Sequence, residues 1–456
     1  MLQCIILLFW TAPMKRKAFS VIGLGFGDEG KGTIVDALTQ RHSAHTVIRF
    51  NGSAQAAHNV VLPDGTHHTF SQFGAGTFHG ARTHLTRDFL LNPYALYAES
   101  SELTTKKIKD PLSRVSIHED AKIVTPYHSG LNRLRESSRS TTHGSCGMGV
   151  GETMQQHINH PDLTIFARDI RNLDILRTKL QRLEEYSRAQ FDEIKDIPMS
   201  DDIRKNFEYH LKKQSVLFAF SPQNMCELMS AITKSESDDA NSAIIVDNEY
   251  EQWLHEQDGC IVLEGAQGVL LDEWYGFHPH TTWSTTTFEN ADRFLQGYDG
   301  EYTKIGVTRS YHTRHGEGPF PTECALMTQD LPDSENVYSP WQHNWRVGAL
   351  DIPLLNYAVE LTVPDAIAIT CLDRITEAKV AVNYEHLAEP YYLTRIGDKE
   401  DLRCASLLTK ELSSVKPIIA TMSVDNLPRF LCHALETEIA ILSHGKTYLD
   451  KEFYEV

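Results

Sequence analysis

The 456-residue chain contains no C-x-x-C pair. Its eight cysteines, Cys4, Cys146, Cys226, Cys260, Cys324, Cys371, Cys404 and Cys432, are scattered. That spacing excludes a zinc knuckle or a disulfide-framed scaffold and fits a reducing, cytoplasmic compartment. Positive charge is also scarce: 43 Lys and Arg against 61 Asp and Glu leave a formal net charge of −18. Such a surface repels phosphate backbones and anionic membranes, so nucleic acid and membrane partners are excluded, while a local cationic pocket is not. Long apolar runs are missing too. The stretch from Cys4 to Trp10 is too short to span a bilayer, and the basic residues Lys15, Arg16 and Lys17 follow it, the reverse of a secretory signal. Residues 1–17 therefore read as an N-terminal extension outside the fold, with Met14 as an alternative start. No internal repeat, low-complexity tract or linker divides the remainder, so residues 18–456 read as one domain.

With 41% hydrophobic and 23% charged residues, the composition is that of a globular protein with a large core. Short apolar runs predict strands beginning at Ala18 and Thr46, and at Ala243–Asp247, Cys260–Glu264, Ala366–Thr370 and Glu438–Leu442. Each ends in small or polar residues, as buried parallel strands do. A helical insertion is expected over about 171–215, where Leu173, Leu176, Leu180, Leu183 and Tyr186 recur every three or four positions among charges. Alternation of strand and helix predicts an α/β fold with a mostly parallel central sheet flanked by helices.

The sharpest motif is the segment from Gly23 to Gly32, GLGFGDEGKG. Gly25, Gly30 and Lys31 fit G-x-x-x-x-G-K, in which glycines turn backbone N–H groups toward phosphate oxygens at a helix N-terminus. Gly32 stands where a nucleotide triphosphatase places a Mg²⁺-binding hydroxyl, and Asp28 puts a carboxylate inside a phosphate loop, where it needs a metal or a proton. Four further segments carry ligand-like chemistry: Asn51–His58, the Gly-rich run Ser140–Gly151, the strand end Glu264–Gly268, and Thr313–Thr322. The last is too rich in Gly and Pro for helix or strand. Together they point to two phosphate-bearing ligands.

The loop Gly27–Gly32, the strand end Glu264–Gly268 and the turn Gly318–Glu323, in this order, resemble the adenylosuccinate synthetase family from about residue 18 to the C-terminus. The resemblance implies a Mg²⁺-dependent ligase that joins L-aspartate to C6 of IMP at the expense of GTP, through a 6-phosphoryl intermediate. It implies Asp28 as the base for the N1 proton and as metal ligand, the backbone of Ala57 as a second metal-ligand position, His58 as general acid, and Lys31 and Gln267 as further catalytic groups. Glu29, Gly30, Gln55, Thr142, Thr282, Asn344 and Arg346 match substrate positions, and Arg168 is the candidate for an arginine shared across a homodimer interface. Gly27, Gly30, Lys31, Gly32, Thr33, Arg346, Asp373, Ser443 and Gly445 match GTP positions.

Departures from the family pattern bear on substrate. Asn344 replaces an arginine of the aspartate loop, Gln55 an asparagine, Ala54 and Ala57 a His and a Gly, and Cys371 the lysine of the guanine motif. Viral relatives that use dGMP carry Ser in place of the loop acid. Asp28 is retained here, which favours a 6-oxopurine without a 2-amino group. Two alternatives stay open: a divergent paralogue using dGMP or another amine donor, with ATP as a possible triphosphate, and a nucleotide-binding regulator without ligase activity.

Overall fold

The computed structural model describes residues 16–139, 144–214, 219–233, 241–333, 336, 344–385, 393 and 401–455. Ten strands form the central sheet: β1 (Lys17–Gly23), β2 (Thr46–Arg49), β3 (Arg82–Leu85), β4 (Val115–His118), β5 (Ile244–Val246), β6 (Cys260–Glu264), β7 (Glu301–Arg309), β8 (Ala366–Thr370), β9 (Glu438–Ser443) and β10 (Lys451–Phe453). Their spatial order is β10-β9-β8-β7-β1-β6-β2-β3-β4-β5, parallel throughout except for the antiparallel edge strand β10. The expected α/β architecture is therefore present, and all six strands foreseen in the sequence lie in this one sheet. The others were less legible: β7 opens on the polar run Glu-Tyr-Thr-Lys, and β3 is only four residues, Arg-Thr-His-Leu.

Successive residues of each strand feed opposite faces. Val21, Val47, Val262 and Ala368 join a core with the helix Lys31–His42, which we label α1. Ile22, Ile48, Leu263 and Ile369 join a second core on the other side. A sheet buried on both faces needs the continuous apolar runs seen in the sequence rather than alternation.

β1 opens at Lys17, one residue before the expected border. Arg16 is also engaged with the fold, donating to the His255 carbonyl at 3.2 Å and pairing with Asp299 at 2.8 Å. The helical insertion forms two helices, Leu173–Lys195 and Asp201–Gln214, separated by a segment containing Pro198. Leu176, Leu180 and Leu183 are fully buried, whereas Leu173 is exposed at the first turn. The Gly- and Pro-rich segment at 313–322 departs from expectation. His312–His315 is a strand, paired antiparallel with Trp345–Gly348, because the glycines and prolines begin only at Gly316. No described helix is long and apolar enough to cross a membrane.

Two outcomes follow from this packing. Leu180→Ala empties a fully buried site in the helical insertion and should cost about 2–5 kcal/mol, read as a lowered denaturation midpoint with the m-value retained. Burial pushes His128 down to about 4 and His312 to about 3 from an ordinary 6.5, and neither ring nitrogen of His312 has a hydrogen-bond partner among the described residues. Below about pH 6.5 the unfolded chain binds protons that these folded imidazoles refuse, so stability falls on acidification. Thermal unfolding between pH 7.5 and 5.5 should show this slope, and His312→Leu should reduce it by up to about 1.4 kcal/mol per pH unit.

Candidate active site

The C-terminal ends of β1, β6, β7 and β8 open onto one cavity of about 1470 Å³. This is where open parallel sheets bind ligands. The loop after β1 supplies its floor. Gly30, at φ 90°, is the N-cap residue of α1 and offers no side-chain cap, so the first N–H groups of the helix remain for a ligand. The almost fully buried Glu29 holds the loop closed. One of its oxygens accepts from Gly27 N at 2.7 Å and Gly25 N at 3.1 Å, and the other pairs with Lys31 Nζ at 2.7 Å. Gly32 is explained by its neighbour, because a Cβ there would stand 2.8 Å from the Cβ of His58. The hydroxyl of a nucleotide triphosphatase loop has no room here.

Asp28 lines the cavity in the left-handed region, at φ 59°, and its carbonyl accepts a hydrogen bond from Arg309 Nε. Burial raises the Asp28 carboxyl above its ordinary value, opposed chiefly by Arg309. A carboxylate so placed is suited to taking a proton. His58 also lines the cavity, with Nδ1 on Glu264, which leaves Nε2 as the ring atom for a ligand. Glu264 closes β6 in register with Arg49 on β2 and also accepts from Ala75 N at 2.9 Å. Burial works to raise the Glu264 carboxyl, but His58 and Arg49 outweigh it and hold it below its ordinary range. Burial likewise lowers His58, against the pull of Glu264.

Two amides converge on the same space. Gln267, at φ 61°, donates from Nε2 to Thr282 Oγ1 at 2.9 Å, and its Oε1 is buried without a hydrogen-bond partner among the described residues. Both amide atoms of Gln55 are in the same condition. Amides can present either donor or acceptor edges to a planar, heteroatom-rich ligand. On the far side of β1, Asp373 follows β8, while Ser443 ends β9 and Gly445 follows it. Thr33 Oγ1 donates to the Lys446 carbonyl at 3.2 Å, tying that loop to α1.

The family profile described as Adenylosuccinate synthetase matches residues 20–446. The chain belongs to the adenylosuccinate synthetase family. It is 28% identical to the adenylosuccinate synthetase of Francisella tularensis subsp. mediasiatica over 470 aligned positions, covering 95% of this chain and 97% of that protein. With the Thermoplasma acidophilum adenylosuccinate synthetase the identity is 30%, over 79% of this chain and 76% of the relative. Among solved structures, the fully ligated Plasmodium falciparum adenylosuccinate synthetase superposes with a TM-score of 0.73 at 20% identity, covering 96% of this chain and 99% of that one. A cyanophage S-2L succinoaminodeoxyadenylate synthetase, bound to dGMP and dATP as an energy donor, gives a TM-score of 0.58 at 15% identity, over 97% and 96% of the two chains. These structures share the fold.

Within this family member, the cavity gathers Gly27, Asp28, Gly30, Lys31, Gly32, Thr33, Gln55, Ala57, His58, Gln267, Thr282, Asp373, Ser443 and Gly445 from the sequence-derived set. Glu29 lies beneath it, turned into the loop it ties. Arg346 pairs with Glu323 at 2.9 Å and lines a separate 350 Å³ pocket, and Asn344 is exposed. Arg168 stands apart, ion-paired with Asp120 over the Phe166 ring. Thr142 lies outside the described residues. Sequence reasoning missed Arg309 and the role of Glu264. The signal for Glu264 was present, an acid ending an apolar strand, whereas Arg309 ends a strand that was itself not foreseen.

If Glu264 sustains the basicity of His58, Glu264→Gln must lower the pH at which the His58 ring titrates. Histidine ring NMR across pH 4–8 reads this directly, and an unchanged or raised midpoint would contradict the pairing.

Proposed function

We propose that this chain is a purine nucleotide–aspartate ligase that converts IMP, L-aspartate and GTP to adenylosuccinate, GDP and phosphate through a 6-phosphoryl intermediate. The observation that carries the reading is the convergence of a half-buried acid, a loop lysine and a carboxylate-backed histidine on one cavity, beside two amides with unmet hydrogen-bonding capacity among the described residues. An oxygen on C6 is a poor leaving group until it is phosphorylated. Asp28, with a carboxyl raised by burial, takes the N1 proton and makes O6 nucleophilic. Lys31 moves from Glu29 to the transferring phosphoryl group, where a fixed cation offsets developing charge. His58, gaining its proton as the polyanion enters, donates from the ring to the phosphate bridge while Glu264 steadies Nδ1. Gln55 and Gln267 read the purine edge, Thr282 and Thr142 contact the nucleotide phosphate, and Asp373, Ser443 and Gly445 receive the base of the triphosphate.

Among the described residues there is no cluster of three or more His, Cys, Asp or Glu able to hold a metal alone. Magnesium does not need one, since it is often bound through one or two carboxylates and substrate phosphates. Asp28, half-buried in the wall of the cavity that Ala57 also lines, fits that role. Bound there, Mg²⁺ would neutralise phosphate charge. The remaining assignments, a cytoplasmic homodimer with Arg168 reaching across the interface, belong to the same reading.

The second reading, a dGMP-using ligase with ATP, draws on Cys371 in place of the guanine-motif lysine and on the fold shared with the cyanophage enzyme. Asp28 favours IMP over it. Purified protein with Mg²⁺, aspartate, GTP or ATP, and IMP or dGMP in parallel should yield succinylated nucleotide by mass from IMP with GTP. Product from dGMP alone would overturn the IMP assignment, and nucleotide binding without product would support a regulator. Asp28→Asn should lower turnover by about two to four orders of magnitude while IMP affinity stays within a few-fold, and an active variant removes Asp28 from the role of base.

A further inference from the structure

Resting on the ligase reading, we propose that Arg309 binds a carboxylate of the amine donor, and that Asp333 occupies its guanidinium until the donor arrives. Arg309 is the last residue of β7 and lines the cavity. Its Nε is fixed on the Asp28 carbonyl, so the guanidinium sits beside the acid that faces the purine N1. The group lies over the Trp345 ring at 5.2 Å and the Tyr311 ring at 5.7 Å. Its outer nitrogen Nη2 stands 3.6 Å from Asp333 Oδ2, and Asp333 lines the same cavity. A separation of 3.6 Å is an ion pair without a hydrogen bond, and the bidentate geometry that makes guanidinium–carboxylate pairs strong is unused.

The neighbouring cations are committed elsewhere. Arg314 spends Nε, Nη1 and Nη2 on the carbonyls of Glu317, Pro319 and His280. Arg346 is held by Glu323 and the Gly316 carbonyl, facing the smaller pocket. Asn344 carries no charge. Arg309 is thus the cation next to Asp28 whose partner is a cavity-lining carboxylate, the group that a dicarboxylic amine donor also brings. Because C6 adjoins N1, a donor carboxylate on Arg309 leaves the donor amine within reach of the carbon it must attack. Asp333 presents the same β-carboxylate as L-aspartate and so acts as an internal competitor.

The two residues should move donor affinity in opposite directions, which a purely structural role does not predict. Calorimetric titration of L-aspartate into the full chain, held with IMP, Mg²⁺ and a non-hydrolysable GTP analogue, measures this without turnover. Arg309→Gln should weaken L-aspartate binding at least tenfold with IMP affinity retained, Arg309→Lys should recover part of the loss, and Asp333→Asn should tighten binding several-fold. Unchanged L-aspartate affinity in Arg309→Gln, no tightening in Asp333→Asn, or no L-aspartate binding by the unmodified chain would each overturn the proposal. If Arg309→Gln does not fold, Asp333→Asn decides alone. L-aspartate binding with the expected shifts but no succinylated product would instead sink the ligase reading and leave this one standing.

Discussion

A carboxylate that never reaches the cavity holds the cavity in shape. Glu29 takes two loop N–H groups on one oxygen and the Lys31 ammonium on the other, almost fully buried beneath the turn. It gives the loop's inward-pointing donors an anion, the same service a phosphate performs in such a loop. Buried donors without a partner cost about 1–3 kcal/mol each, so a loop of this shape without Glu29 would not persist unliganded. With the loop set, Gly30 can start α1 uncapped, Asp28 is held in its left-handed conformation, and Gly32 lies against His58.

The same logic reconciles an acidic chain with anionic ligands. The net charge of −18 describes the surface, while the cavity wall collects Lys31, Arg309 and Arg314 on the ends of central strands and their loops. Each is balanced locally by Glu29, by Asp28 and Asp333, or by carbonyl dipoles. Arg49 and Glu264 repeat the arrangement one layer deeper, as register partners on neighbouring strands. Opposite charges on adjacent buried strands fix His58 from below and leave the outer surface free to be acidic.

Most of the fold was legible because a parallel sheet buried on both faces writes itself as short apolar runs, and β1, β2, β5, β6, β8 and β9 do so. What escaped was polar in sequence yet buried in space. β7 begins Glu-Tyr-Thr-Lys at the sheet margin and turns apolar only at Ile305, so periodicity has little to detect. The strand at His312–His315 is masked by the glycines and prolines that follow it. In the site, the residues on the loop after β1 were legible since the loop is contiguous in sequence. The pairs Glu264–His58 and Arg309–Asp28 join positions more than two hundred residues apart and exist only once β1, β6 and β7 lie side by side.

Arg314, fully buried, and Arg309, mostly so, show how two arginines on neighbouring elements come to differ. Arg314 is surrounded by carbonyl oxygens, which satisfy its N–H groups but carry no net charge, and burial with Arg346 nearby pushes it down to about 9. All three of its nitrogens are hydrogen-bonded, so it serves the shape of the Gly318 turn, where a carbonyl cage costs less to keep than to break. Arg309 has the opposite balance, with carboxylates close by and its Nη2 edge held, among the described residues, by a long ion pair. A cation whose shell is closed by backbone can stabilise a turn but cannot take a ligand without losing bonds. One whose outer edge faces a carboxylate at ion-pair distance, without a bidentate bond, can exchange it for a better-seated carboxylate. The position of Asp333 therefore separates the arginine that recognises from the arginine that supports.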